Sequence, residues 1–305
     1  MLSRVAESLY WMARNVERAE DLARLIDVTA SRAVDHHADA ADRWRSVYRV
    51  AGLQVPEDQG FSPRTMAIEQ IVFGVENRLS VASCVRIARQ NAIGVRAELT
   101  TEVWECVNGL YLFVEAQSPR AVGPDGASSF LRSIRDTAQA FGGLCDATLA
   151  HDDGWEFLRI GRSIERARMT ARVLREIEDD DGPHVWHLVL EACCASAPFA
   201  RARKQSSDPA DALAFLALSA NFPRSLRFCA REIDTALHQL SGAPTGTFAD
   251  GAERMSGRIC ASLDFAGSAD LMREGSAAFG ARMCEEVDAL GSAIVATYFP
   301  RILVG

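Results

Sequence analysis

The chain has 305 residues and a mass of 33.2 kDa, enough for two domains or for one large domain with a sizeable core. Its formal charge of −8 excludes a strongly basic surface of the kind that holds nucleic acid, so no nucleic-acid partner is expected. Arginine supplies all of its positive charge except one lysine, Lys204, which leaves a single candidate for lysine-based chemistry.

The N-terminal segment mixes charged and apolar residues and lacks the apolar core of a signal peptide, so we expect it to form the first helix of the fold. No uninterrupted apolar stretch of about 18 residues occurs anywhere, and we therefore expect no membrane span. The eight cysteines are scattered without a Cys-x-x-Cys pair. This usage predicts reduced thiols in a cytoplasmic protein, with neither a disulfide framework nor a zinc site.

Helical periodicity dominates the chain. From Leu2 to Ile26, apolar or small residues recur at steps of three and four, which predicts one long helix. The same periodicity predicts further helices over Met66–Phe73, Val81–Val95, Leu99–Phe113, Phe130–Leu149, Trp155–Ile177, Val185–Ala202, Ala210–Leu218, Ser225–Leu240 and Ala269–Phe299. Turn-forming residues predict loops over Gly52–Pro63, Gln117–Gly126, Asp179–Pro183, Ser206–Pro209 and Ser241–Gly251. With no run of alternating strand residues, the predicted class is all-α.

The sequence also predicts an internal repeat. Leu9–Asp27 aligns with Phe157–Arg175 at an offset of 148 residues. Three further matches follow in the same order at offsets of 142, 146 and 145. We therefore expect a duplicated unit, residues 1–150 and 151–305, in one integrated helical bundle with pseudo-two-fold symmetry. The expected site lies where the two copies meet. The matched charged positions are Arg14, Glu17, Arg18 and Arg24 in the first copy and Arg162, Glu165, Arg166 and Arg172 in the second.

Each copy carries a Glu–Arg dyad, Glu17–Arg18 and Glu165–Arg166. On a helical wheel Arg18 and Arg166 share their sector with apolar residues, and a guanidinium buried there is costly unless it is paired. Each glutamate points about 100° away from the arginine that follows it. It could pair with the arginine three residues earlier or with an arginine of the other copy. Two interpretations remain open, a structural polar lock and a ligand-facing site.

A family resemblance rests on these residues and on three later blocks. Leu9–Arg14 (LYWMAR) and Val16–Glu20 (VERAE) resemble the start of the bacterial alpha-E domain family, helical proteins named for a Glu–Arg motif. Further similar blocks are Ala88–Ala92 within Ser83–Arg96, Glu102–Glu105 with Asn108, and Phe222–Ser225. Two departures concern the chemistry: Gln90 stands where the family has Glu, and Asn77–Ser80 reads Asn-Arg-Leu-Ser instead of Asn-Pro-Ser-Ser.

The resemblance implies a context more than a reaction. Alpha-E proteins are typically encoded beside, or fused to, a circularly permuted ATP-grasp ligase and a transglutaminase-like peptidase. The leading hypothesis is therefore an accessory protein of a peptide-synthesis or peptide-modification system that binds the ligase or its peptide product. The alternatives are an enzyme of the same pathway acting on a peptide or amino-acid carboxylate, and a purely structural interaction bundle.

The candidate residues follow from these hypotheses. The catalytic candidates are Glu17 and Glu165 as acid–base groups, with Arg18 and Arg166 orienting a carboxylate substrate. Binding of a peptide or amino-acid carboxylate is assigned to Arg14, Arg162, Arg89, Asn91 and Arg224. His184, His187 and Glu191 share a helix face, but no further ligand set accompanies them, so no metal site is predicted. No nucleotide-binding loop motif occurs, so no cofactor is predicted either.

Overall fold

A computed structural model describes residues 3–32, 40–55, 63–178, 183–203, 206, 208–244 and 246–300. All regular secondary structure in these ranges is helical, which confirms the predicted all-α class. In the first half of the chain the α-helices are α1 (Ser3–Arg32), α2 (Ala40–Ala51), α3 (Pro63–Ala67), α4 (Val81–Gly94), α5 (Thr101–Glu115) and α6 (Pro119–Thr148). In the second half they are α7 (Asp153–Arg175), α8 (Pro183–Ala192), α9 (Ser196–Ala202), α10 (Pro209–Leu218), α11 (Leu226–Ser241), α12 (Gly251–Phe265), α13 (Ser268–Glu274) and α14 (Ser276–Tyr298).

Two compact units divide the chain. We call Arg14–Leu149 the N-half unit, and Met1–Ala13 together with Ala150–Gly305 the C-half unit. The first turns of α1 therefore belong with the second half: Ser3 Oγ donates to the Tyr298 carbonyl at 2.8 Å, and the Tyr10 ring lies 5.4 Å from the Phe299 ring.

The N-half unit is built around α5, which packs against both α4 and α6. Apolar side chains at Val103, Val107 and Leu110 of α5 are buried at this contact. The helix α6 also contacts α1, because Arg135 and Gln139 hydrogen-bond to carboxylates of that helix. Two of the charged residues of α1, Glu20 and Asp27, are thereby tied to α6.

The C-half unit is built around α7, which packs against α11 and α14, while α12 packs against both of these helices. The contact of α14 with α7 is unusually close at Gly280. A Cβ atom there would lie 2.4 Å from the Arg175 backbone nitrogen and 2.8 Å from the Ala171 carbonyl oxygen. Only glycine lets the two backbones approach this far.

The starts of α4 and α11 have the same local structure. Ser80 and Ser225 are buried N-cap residues whose hydroxyls accept from the backbone N–H groups of Ser83 and Phe228. One turn further, the thiols of Cys84 and Cys229 each lie near a carbonyl of the preceding loop. The two segments match at an offset of 145 residues, in agreement with the predicted repeat. The duplication and its pseudo-symmetry stay a prediction.

Several predicted boundaries were wrong. The predicted loop over Gln117–Gly126 holds the first turn of α6, because Ser118 caps that helix and Pro119 occupies its first turn. The helix is kinked at Gly123, with φ of +54°, and continues as a second helical segment beyond it. The helix over Ala269–Phe299 is two helices separated at Gly275, with φ of +83°. The helix over Val185–Ala202 is likewise interrupted at Cys194, which is exposed and has φ of +56°.

Two helices, α2 and α12, were not predicted at all. Parts of four predicted loops, at residues 56–62, 179–182, 207 and 245, lie outside the described residues. All eight cysteines are free thiols, as predicted. Within the described ranges, we find no helix whose length and apolar character would let it span a membrane.

Candidate functional site

One side of α1 carries a row of charged residues that is buried in the N-half unit. The residues of this charged face are Arg14, Glu17, Glu20, Asp21, Arg24 and Asp27, each no more than 7% exposed. They recur at steps of three and four, so a single helical stripe brings them together. The predicted site residues Arg14 and Glu17 belong to this face, whereas Arg18 lies beside it and is partly exposed.

Three carboxylates of this face converge. Glu17, Glu20 and Asp21, here called the carboxylate cluster, each place an oxygen within 4.8 Å of the other two. Such a group repels itself unless positive charge lies beside it, and Arg24 supplies one by donating from Nη2 to Glu20 Oε1. Gln139 of α6 donates to the same oxygen at 3.4 Å. Carboxylate oxygens are the ligands that hard cations such as Mg²⁺ and Ca²⁺ prefer, so this is where the described residues could hold a metal ion.

The charged face continues to Asp27. Its two carboxylate oxygens accept from Ser128 Oγ at 2.7 Å and from Arg135 Nη1 at 2.6 Å, both on α6. Bonds to an ionised acceptor with good geometry are the stronger kind of hydrogen bond. The end of the charged face is thus fixed to α6 by two side chains.

In the C-half unit, α7 positions the second dyad. Glu165 is only 4% exposed, while Arg162 and Arg166 are partly exposed. Arg224, also predicted as a binding residue, is buried just before α11, and its carbonyl accepts from Thr170 Oγ1 of α7 at 2.8 Å. This bond holds the Arg224 backbone against the helix that carries Glu165.

The other predicted binding residues, Arg89 and Asn91, lie on α4. Arg89 is partly exposed and held in a fixed direction: Nε donates to Asn108 Oδ1 at 2.8 Å, and the guanidinium lies 4.5 Å from the centre of the Tyr111 ring. Its terminal nitrogens make no hydrogen bond to the described residues. Asn91 instead donates to the Ile87 carbonyl of its own helix at 2.9 Å, so one of its two amide hydrogens is already engaged.

Sequence reasoning missed a charged network at the start of α7. Arg159 donates to Glu156 at 2.8 Å and to Glu232 of α11 at 3.0 Å, and its guanidinium lies over the Trp155 ring. Burial raises the pKa of the Glu156 carboxyl above its ordinary value, an effect that Arg159 partly offsets. The spacing of Glu156 and Arg159, three residues apart on one helix, was the available signal.

The helical fold and the charged face of α1 define the class of this protein. It is an all-helical protein whose long first helix carries a Glu–Arg motif with a buried glutamate. The family comparison agrees. The chain belongs to the Alpha-E family, described as "a predicted alpha-helical domain with a conserved ER motif", whose model matches residues 1–299. This confirms the family inferred from the sequence.

The curated relatives include uncharacterized proteins of Mycobacterium tuberculosis and Mycobacterium bovis. Each is 26% identical to this chain over 267 residues, covering 79% of this chain and 30% of the relative. The chain therefore spans less than a third of the length of these relatives. No solved structure matches it.

Proposed function

We propose that this protein is a helical accessory component of an ATP-grasp amide-ligase system and that it binds the ligase or its peptide product. The observation that carries the proposal is the burial of the motif glutamates, with Glu17 6% and Glu165 4% exposed. A general acid or base must come within hydrogen-bond reach of its substrate, and two interior carboxylates are poorly placed for that. Burial favours a role in holding the helices that present a binding surface.

The longer relatives support a role beside other modules. Because an Alpha-E chain of this kind matches only 30% of their length, the domain also occurs joined to much further sequence. Occurrence within a longer chain is consistent with a component that acts beside an enzyme. The ligase, the transglutaminase-like peptidase and the cytoplasmic location all belong to the proposal.

For a peptide carboxylate, the best-prepared receptor is Arg89. Its Nε donates to Asn108 and its guanidinium lies over the Tyr111 ring, which together fix its direction. Neither terminal nitrogen bonds to a described residue, so both can receive a ligand. A guanidinium held this way loses little freedom on forming a bidentate pair with a carboxylate. Arg86, one turn earlier on α4, is instead paired with Glu115 at 2.8 Å and provides a matched control.

The test is reconstitution with the ATP-grasp ligase of the same genome. We expect the two proteins to co-purify, and we expect mass spectrometry to find the peptide product changed in amount or composition when this chain is present. Arg89→Ala should weaken that effect at least about tenfold, the loss expected from one charge-assisted bidentate pair, whereas Arg86→Ala should leave it unchanged. Identical ligase output with and without this chain would contradict the accessory role.

A second candidate function, an acid–base enzyme of the same pathway, is favoured by the carboxylate cluster alone. Glu17→Gln and Glu165→Gln separate the hypotheses. Under the enzyme hypothesis, both variants fold and the product disappears. Under the structural hypothesis, thermal unfolding shifts because a buried ion loses its charge balance, and any folded fraction still supports the ligase.

A further inference from the structure

His238, near the end of α11, has an acceptor at each ring nitrogen. Nδ1 lies 2.8 Å from the Asp234 carbonyl oxygen, and Nε2 lies 3.1 Å from the Thr247 carbonyl oxygen. A carbonyl oxygen can only accept, and a neutral imidazole has one N–H group. Both bonds therefore form together only when the ring carries two protons, that is, as the imidazolium.

The groups facing this ring also favour the cation. On α11, the Asp234 carboxylate lies 3.8 Å from Nδ1, and on α12 the Glu253 carboxylate is fully buried nearby. Asp250, which precedes α12, is engaged by the Tyr298 hydroxyl of α14 at 3.2 Å. Burial of the ring lowers the pKa of His238, but the two carbonyl acceptors and the charges of Asp234 and Glu253 outweigh it, so the pKa is raised above 6.5.

The Thr247 carbonyl belongs to a short segment between α11 and α12, Gly246–Asp250, here called the strap. Besides the bond to His238, three contacts hold it on α12, the first being the N-cap bond in which Asp250 Oδ1 accepts from the Glu253 N–H at 2.9 Å. The Ala249 N–H donates to Glu253 Oε2 at 2.5 Å, and the Phe248 ring covers Gly257, where an added Cβ would lie 2.5 Å from a ring carbon. The second Glu253 oxygen is buried with no hydrogen-bond partner among the described residues.

We propose that the strap is a pH-sensitive closure, fastened to α11 by protonated His238 and released when that proton is lost. Without the proton, the ring keeps a single N–H group and can donate to only one of the two carbonyls, so the Thr247 bond either is lost or survives at the expense of the Asp234 bond. Opening the strap then lets water reach the Glu253 carboxylate, which the closed strap leaves half satisfied. The imidazolium consequently stabilises the closed form, and release of the strap uncovers the α12 face beneath Phe248.

The direction of the pH dependence follows from linkage. Among the groups that raise the pKa of His238, the Thr247 carbonyl belongs to the strap, whereas Asp234 lies on α11 itself. The proton therefore stabilises closure fully below the pKa that His238 has in the open form. That stabilisation is lost as the pH rises through the raised pKa that His238 has in the closed form. If the pKa of His238 is one unit higher in the closed form than in the open form, the equilibrium constant for opening is about ten times larger at high pH than at low pH.

Two measurements on the intact chain test the proposal together. NMR titration of the ring protons gives the pKa of His238, and hydrogen exchange of the strap amides, corrected for intrinsic rates, gives the opening equilibrium at about pH 6 and pH 8.5. We expect opening to rise at least about threefold and to match the measured pKa difference. His238→Gln should abolish the rise, whereas His187→Gln, at an exposed position on α8, should preserve it.

Gly257→Ala provides an independent route to the open strap. The added methyl group displaces the Phe248 ring, which packs edge-on against the His238 ring with 6.2 Å between the ring centroids. Exchange should therefore be fast at both pH values, and the pKa of His238 should fall back toward 6.5. Three results would each overturn the proposal: a wild-type His238 that titrates at or below 6.5, strap exchange that does not change with pH, and a His238→Gln variant that keeps the wild-type pH dependence.

Discussion

The helices α1 and α7 carry the same Glu–Arg sequence, yet different interactions hold them. At an offset of 148 residues, Glu17 matches Glu165 and both are buried. The residues around them differ: Glu20, Asp21 and Asp27 of α1 stand where α7 has Arg168, Met169 and Arg175. The carboxylate cluster is therefore a property of α1 alone.

What replaces the cluster on α7 is surface pairing and close packing. Arg168 pairs with Asp288 at 3.0 Å and Arg175 with Glu176 at 3.0 Å, in both cases partly in solvent. The helix is held chiefly by α11 and by the backbone contact at Gly280. At these matched positions α1 carries balanced buried charge and α7 carries surface pairs, so a shared dyad does not make the two environments equivalent.

The largest expected effect breaks the charge balance on α1. Glu20→Ala leaves the Arg24 guanidinium, 5% exposed, without its carboxylate, and should cost about 3–5 kcal/mol of unfolding free energy in a denaturant titration. The matched change on α7, Arg168→Ala, removes a partly exposed pair and should cost at most about 1 kcal/mol. Equal losses would show that the two helices are held in the same way.

An intermediate effect is expected from overpacking α7. Gly280→Ala places a methyl group against the Ala171 and Arg175 backbone and should destabilise the protein by about 1–3 kcal/mol, because the helices must separate. Gly109→Ala on α5 meets no atom within 4 Å and should be neutral or stabilising by about 0.5–1 kcal/mol. Thermal unfolding of both variants is the measurement, and a tolerated Gly280→Ala would contradict the packing argument.

The smallest effect concerns a surface pair between α13 and α14. Hydrogen bonds from Arg282 lower the pKa of the Glu274 carboxyl, so the pair stabilises the fold above pH 4.5 and stops doing so as the pH falls through the lowered value. Glu274→Gln should therefore cost about 0.2–1 kcal/mol at neutral pH, after solvent screening, and nothing in strong acid. Urea titrations of the wild type and of this variant at several pH values measure the loss. A difference in unfolding free energy that does not change with pH would refute the prediction.

The sequence predicted the helical class and most long helices because their periodicity is strong. It missed α12, whose Gly251, Ser256 and Gly257 weaken the helical signal; packing against α11 and α14 overrides that propensity. It also placed a loop at Gln117–Gly126, where the cap at Ser118 outweighs the turn residues that follow.

Among the buried charged residues, Glu17 and Glu165 could be singled out from the sequence because both lie in the two segments that align, Leu9–Asp27 and Phe157–Arg175. The alignment does not single out Glu20, Asp21 and Asp27, because α7 has no acidic residue at the aligned positions. Their spacing on one face of α1 was visible, but burial depends on tertiary contacts from α6 that no local pattern encodes.

The glycine contact between α14 and α7 has a mechanical consequence. Two backbones in direct contact have no flexible side chains between them to absorb a displacement, and close-packed interiors transmit strain. A force applied to α14 should therefore move Ala171 and Arg175 with it, along with the helix that carries Glu165. A spectroscopic probe on exposed Glu285 of α14 would accordingly report the motion of the second dyad without being attached to it.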